Sequence, residues 1–140
     1  MRAALSEVFA RHHGREGALL PILHDVQARF GCVSPAAERA IAAELNLSRA
    51  EVHGVVSFYH DFTEEPDPRP QVQLCRAEAC QARGVEALVP AAQAAAGGRV
   101  RLATVYCLGL CSAGPAARVG DAVHARLDEA ALVRLIEAAR

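Results

Sequence analysis

The 140-residue chain contains no lysine; all fifteen of its basic residues are arginine. Alongside the many alanines, this reads as compositional bias rather than function. Sixteen acidic residues leave a net charge of −1, too weak a field to make nucleic acid or an anionic membrane the main partner. No apolar run approaches the length of a membrane span. The opening Met1-Arg-Ala-Ala-Leu-Ser-Glu7 lacks the apolar core of a secretory signal. The expectation is a cytoplasmic protein without direct membrane insertion, in which thiols stay reduced and disulfides are a poor use for five cysteines. A Cys-x-x-Cys redox motif is also missing. There is no phosphate-cradling glycine loop, Gly97-Gly98 being a helix stop, and no nucleophile elbow or Ser/His/Asp order. No catalytic residue is therefore expected in this chain.

What is present divides into two halves. Leu5, Val8, Phe9 and His12 follow the spacing of one helix face, and Leu19, Ile22, Leu23, Val26 and Phe30 repeat it with Gly31 as a C-cap. Ser34-Pro35 reads as an N-cap and first helical residue, with Ile41 and Leu45 on one face. Ser48 and Glu51 fit a capping box ahead of Val52, Val55, Val56 and Tyr59. The stretch 64–70, with three prolines in seven residues, cannot continue a helix. It sets the expected boundary between a helical domain, 1–66, and a second domain, 67–140.

Beyond the break the period changes. Gln71–Cys75 alternates like a strand, Val85, Leu88, Val89 and Ala92 mark a helix, and Val100–Tyr106 alternates again. Arg118-Val119 and Ala122-Val123 flank the turn residues Gly120-Asp121 as a hairpin. Asp128 caps a last helix bearing Leu132, Leu135 and Ile136. The expected class is α+β or α/β: an N-terminal helical bundle followed by a thioredoxin-like domain with a small mixed sheet.

Four cysteines fall in two pairs. Cys75 and Cys80 enclose four residues, Cys107 and Cys111 enclose three, and residues 81–106 separate the pairs. Cys75 and Cys107 are each expected at a strand end, and Cys80 at the start of a helix. If the two strands are parallel neighbours, their carboxyl ends bring all four thiols to one edge, with the intervening helix as the crossover. Four thiolates suit either an iron–sulfur cluster or zinc. Spacing alone favours the cluster only narrowly. A four-thiolate di-iron core is formally a dianion and wants N–H donors. The helix start near Cys80, the loop of Gly109, Ser112 and Gly114, and the nearby Arg76 and Arg83 all favour it.

Cys75-x4-Cys80 with Tyr106-Cys107-Leu-Gly-Leu-Cys111 resembles the thioredoxin-like [2Fe–2S] ferredoxin family, including the small iron–sulfur subunit of complex I and its relatives. Gly31-Cys-Val33 and Val52-His-Gly-Val-Val-Ser-Phe-Tyr-His-Asp-Phe62 extend the likeness over nearly the whole chain. Cys75-Arg-Ala-Glu-Ala-Cys-Gln81 and Val105–Cys111 look most like the gamma subunit of soluble, molybdenum-dependent, NAD-linked formate dehydrogenases. The complex I subunit and the diaphorase subunit of NAD-linked hydrogenases are near alternatives. The segment between the pairs is shorter than the family pattern, and the shortening is expected in Ala94–Arg99. The resemblance implies that Cys75 and Cys80 hold one iron of a [2Fe–2S] cluster, and Cys107 and Cys111 the other. It implies an electron-transfer subunit beside a flavin-bearing, NADH-binding subunit. The FMN and the molybdenum cofactor would lie only on partner subunits. A zinc-stabilised interaction module is the alternative from another class.

The remaining candidates have ordinary readings. Cys32 is expected as a small buried hydrophobe. His12 and His13 are expected on the surface, and His53 and His60 in packing or an interface. Phe58, Tyr59 and Phe62 are read either as packing for the two halves or as an anchor for a partner.

Overall fold

Helix formation in the first half follows its caps. The computed structural model describes residues 2–140, leaving Met1 outside, and begins with α1 (Arg2–His12), α2 (Leu19–Phe30), α3 (Pro35–Leu45) and α4 (Arg49–Phe58). Gly31 ends α2 at φ +73°, a left-handed conformation that suits glycine. Ser34 accepts from the Ala37 N–H, with Pro35 in the first helical turn. Ser48 and Glu51 form a complete capping box. The apolar stripes meet in one core that includes Leu5, Val8, Ile22, Leu23, Val26, Ile41, Val52 and Val56. Burying each large side chain of this kind stabilises by about 1.5–3 kcal/mol. Phe62 is buried in the same core, its ring centroid 4.9 Å from that of His24 and tilted 60° to it, whereas Phe58 is 75% exposed.

The chain separates into two compact units, Met1–Pro68 and Arg69–Arg140. The division lies inside the proline-rich stretch 64–70.

The second unit holds β1 (Gln71–Cys75), α5 (Glu78–Ala82), α6 (Val85–Ala96), β2 (Arg101–Val105), a single 3-10 turn (Cys111–Ala113), β3 (Ala117–Val119), β4 (Ala122–His124) and α7 (Glu129–Ala138). The sheet order is β2-β1-β3-β4. Strands β1 and β2 are parallel, with Cys75 opposite Val105. Strand β1 pairs antiparallel with β3, and β3 with β4 across the Gly120-Asp121 turn. The sheet is thus mixed, and β1 is interior to it. Its residues 72–75 are all buried, so the alternating sequence does not mean one wet face. Gln73 is accommodated by a 2.5 Å hydrogen bond from Arg118 Nε on its register partner.

Where one helix is expected after Cys80 the chain makes two, because Gly84 adopts φ +86° and turns the path between α5 and α6. Pro90 sits inside α6, and Gly97 closes it in a left-handed conformation. Arg99 then donates to the Ala139, Ile136 and Glu137 carbonyls, satisfying the free end of α7. The short connection between α6 and β2 is held in this way. Val72, Leu74, Val85, Ala92, Val100, Leu132 and Ile136 form the second core.

Candidate metal centre

The parallel pairing of β1 and β2 points both carboxyl ends toward one edge. Cys75 is the last residue of β1; its N–H donates to the Ala116 carbonyl at 2.9 Å. Strand β2 ends at Val105, two residues before Cys107 and not at it. The reason is local: Cys107 has φ +110°, outside the strand region, so the ladder cannot extend through it. Holding a non-glycine residue there costs about 1–3 kcal/mol, and such strain collects at functional sites. Cys80 lies in the middle of the five-residue α5, and Cys111 opens the 3-10 turn.

The four thiols are brought together. Burial pushes the Cys75 thiol up, but it is outweighed by hydrogen bonds to its sulfur. The Ala77 N–H, the Cys80 thiol, and the Cys107 and Leu108 N–H groups supply them, and the thiol ends below its ordinary range. Cys80 is pushed up by burial, then by its bond to Cys75 and that sulfur's charge; the Ala116 N–H opposes this. Cys111 is raised first by its bond to Cys107, then by that sulfur's charge, and also feels Cys75. Cys107 Sγ and Cys111 Sγ are 3.6 Å apart, and the Gly109 N–H donates to Cys107 Sγ at 3.3 Å. Cys75 and Cys80 are buried while Cys107 and Cys111 are exposed. One pair is thus enclosed and the other faces outward.

Two further features fit a sulfur-rich inorganic core. Ala116 spans the buried pair, its carbonyl accepting from the Cys75 N–H and its own N–H reaching the Cys80 sulfur. Gly114 packs so tightly that a Cβ there would stand 2.9 Å from Cys80 Sγ. The donors are backbone N–H groups from Ala77, Cys107, Leu108, Gly109 and Ala116 rather than the end of a long helix; α5 is too short for a large dipole. They suit a dianionic, thiolate-rich core, which gains from N–H donation to its sulfurs. Arg76 is engaged elsewhere, in a two-pronged ion pair with Glu86 at 2.8 and 2.5 Å.

Other expected residues fall differently. His12 is not a surface residue: its side chain is 10% exposed and its Nε2 lies 2.8 Å from Asp25. That bond, with help from Arg11, holds the Asp25 carboxyl below its usual range. His13 and His60 are exposed. Cys32 is half-buried rather than enclosed. His53 bonds through Nδ1 to Glu38 Oε1 at 3.0 Å. Glu38, almost fully buried, is a charged core residue that sequence reasoning misses. Its spacing to Ile41, Ala42 and Leu45 (i+3, i+4, i+7) places it on the apolar stripe, which is the signal that could have found it.

Comparison with known proteins agrees with the fold. Residues 5–140 match the thioredoxin-like [2Fe-2S] ferredoxin family. The chain is 33% identical to an NADH-quinone oxidoreductase subunit of Rhizobium meliloti (strain 1021), over 149 aligned positions that cover all of this chain and 89% of that one. It is 30% identical to the NADP-reducing hydrogenase subunit HndA of Solidesulfovibrio fructosivorans, covering 79% of this chain and 70% of the relative. A crystal structure of an NAD+-reducing [NiFe]-hydrogenase in the H2-reduced state superposes with a TM-score of 0.69 at 30% identity. The superposition takes in 86% of this chain but only 22% of that one. Among the described residues no helix is long and apolar enough to cross a membrane. By its match from residue 5 to the C-terminal Arg140, the chain belongs to the thioredoxin-like [2Fe–2S] ferredoxin family.

Proposed function

We propose that this chain is an electron-transfer subunit whose Cys75, Cys80, Cys107 and Cys111 hold one [2Fe–2S] cluster. The observation that carries the reading is the convergence of four thiols at the carboxyl edge of β1 and β2, under a shell of backbone N–H donors. A cluster of this kind, when bound, stores and releases one electron at a time. The residues of this chain do the rest. Cys75 and Cys80 anchor the enclosed side, with Ala77 and Ala116 donating to their sulfurs. Cys107 and Cys111 present the solvent-facing side, where a redox partner can approach. Tyr106, 74% exposed beside Cys107, offers an aromatic contact on that face.

The partner in this reading is a flavin-bearing, NADH-binding subunit. It is supported by the similarity to subunits of an NADH-quinone oxidoreductase and an NADP-reducing hydrogenase. Within that class we favour a soluble, NAD-dependent formate dehydrogenase, in which a separate molybdenum subunit oxidises formate. The Cys75–Gln81 and Val105–Cys111 segments support this choice. We further propose a cytoplasmic location, and residues 1–66 and 67–140 as separate domains, the second alone carrying the cluster.

Purification of the native complex tests the reading. Expected are two irons and two sulfides on this chain, FMN on a co-purifying subunit, and molybdenum on a third. A hydrogenase or membrane-pump partner in place of the molybdenum subunit would redirect the assignment within the class. A colourless chain with stoichiometric zinc would overturn it.

A further inference from the structure

A second constellation lies in the helical unit, Met1–Pro68. Glu38 on α3 is 1% exposed among Ala37, Ile41 and Ala42. Its Oε1 meets His53 Nδ1 from α4 at 3.0 Å. Its Oε2 is buried and has no hydrogen-bond partner. The nearest cation, Arg49 Nε, stands 3.9 Å from it, outside hydrogen-bond reach. Glu64, just beyond α4, brings Oε1 to 3.9 Å from the same His53 nitrogen. One ligand atom from each of Glu38, His53 and Glu64 thus falls within 4.8 Å of the others. His53 also lines an open depression of about 290 Å³ with Arg49 and Ala50.

An ionised carboxylate in an apolar core is costly unless both oxygens are satisfied, by several kcal/mol in typical cases. His53 satisfies one oxygen of Glu38 and leaves the other. We propose that Glu38, His53 and Glu64 bind a divalent transition-metal ion of the zinc class. The ligand chemistry selects it: imidazole with carboxylates suits borderline ions such as Zn2+, whereas Mg2+ and Ca2+ take oxygen alone and Cu(I) prefers sulfur. The spacing agrees. Ligands about 2.0–2.2 Å from one tetrahedral ion stand about 3.3–3.6 Å apart. From His53 Nδ1, the distances of 3.0 Å to Glu38 Oε1 and 3.9 Å to Glu64 Oε1 bracket that range, and chelation through both carboxylate oxygens of Glu38 brings the orphaned Oε2 into the shell. Water entering from the depression completes the shell. Arg49 is the opposing charge; its side chain is 60% exposed, so it can turn out to solvent when the ion enters. The site is independent of the four paired cysteines.

The test is zinc uptake by the full chain, as purified, in equilibrium dialysis against Zn2+ alone. Zinc taken by cysteines cancels in the comparison with variants. The wild type is expected to bind one more zinc per chain than His53→Ala or Glu64→Gln. Glu64→Gln is at an exposed position and should leave the circular dichroism intact, so it carries the test whatever the fate of Glu38→Gln or of His53→Ala, which strips the buried Glu38 of its hydrogen bond. Arg49→Ala should tighten uptake several-fold. Long-range proton–nitrogen NMR gives the second readout: zinc should shift the His53 Nδ1 resonance and leave that of His60 in place. Equal zinc uptake by wild type and both variants would overturn the proposal. So would a His53 Nδ1 resonance that does not move in excess zinc, since the trio would then be a hydrogen-bonded cluster only.

Discussion

Gly114 stands so close to Cys80 that a side-chain carbon on it would lie 2.9 Å from the cysteine sulfur, nearer than such atoms pack. Its backbone is extended, without positive φ. The need for glycine is therefore one of space. Gly114→Ala is expected to push Cys80 and Arg83 aside, with an overpacking cost of about 1–3 kcal/mol. Far-UV circular dichroism should be unchanged, while iron per chain and visible absorption fall. Full iron content in the variant would show that Cys80 has more room than the packing allows.

Cys107 adopts φ +110°, and the strain of that conformation is expected to persist when metal is removed. Metal-free Cys107→Gly should therefore be more stable than metal-free Cys107→Ala, by about 1 kcal/mol or more, since glycine adopts that conformation freely. Denaturant unfolding of the two metal-free variants measures the difference. Equal midpoints would mean that the backbone relaxes there without metal.

The second core should be sensitive where α7 packs into it. Ile136 is fully buried, and Ile136→Ala should cost about 2–5 kcal/mol. Asp128 caps the same helix through a 2.7 Å bond from the Ala131 N–H, and Asp128→Ala should cost about 1 kcal/mol. Urea unfolding of both variants checks the order: the core change must be the larger.

Acid should weaken the start of α4. The Ser48 hydroxyl, then the Ser48 backbone N–H, hold the Glu51 carboxyl below its ordinary value of 4.5, against slight burial. A folded value below the unfolded one means that the contribution is present above about pH 4.5. It is lost as pH falls through the folded value. The stability gap between wild type and Glu51→Gln should thus be widest near neutrality and close in acid. A gap that does not change with pH would exclude the carboxylate as the source.

Much of the fold is legible in the sequence because caps are local chemistry. Ser34, Ser48 with Glu51, Gly31 and Asp128 each act within three or four residues of themselves, and each does so as its spacing implies. The cysteine pairs can be placed near strand ends because Gln71–Cys75 and Val100–Tyr106 alternate. What cannot be read depends on pairing across the chain. That β1 lies between β2 and β3, and so buries both faces, follows from a register with β3 more than forty residues away. The positive φ of Cys107 ends β2 early and leaves no mark in the alternation. Glu38 is hidden because its stripe reads as apolar at Ala37, Ile41, Ala42 and Leu45, and one charge among them looks like noise. His12 reads as a surface residue because its partner, Asp25, is on another helix.

X-ray absorption at the iron edge reads the central claim most directly. On the purified chain, each iron should be surrounded by sulfur alone, with one second iron as near neighbour, and serine at Cys75, Cys80, Cys107 or Cys111 should replace one sulfur by oxygen or abolish the signal. Iron ligated by nitrogen, iron without a second iron beside it, or an unchanged spectrum in all four variants would contradict the account.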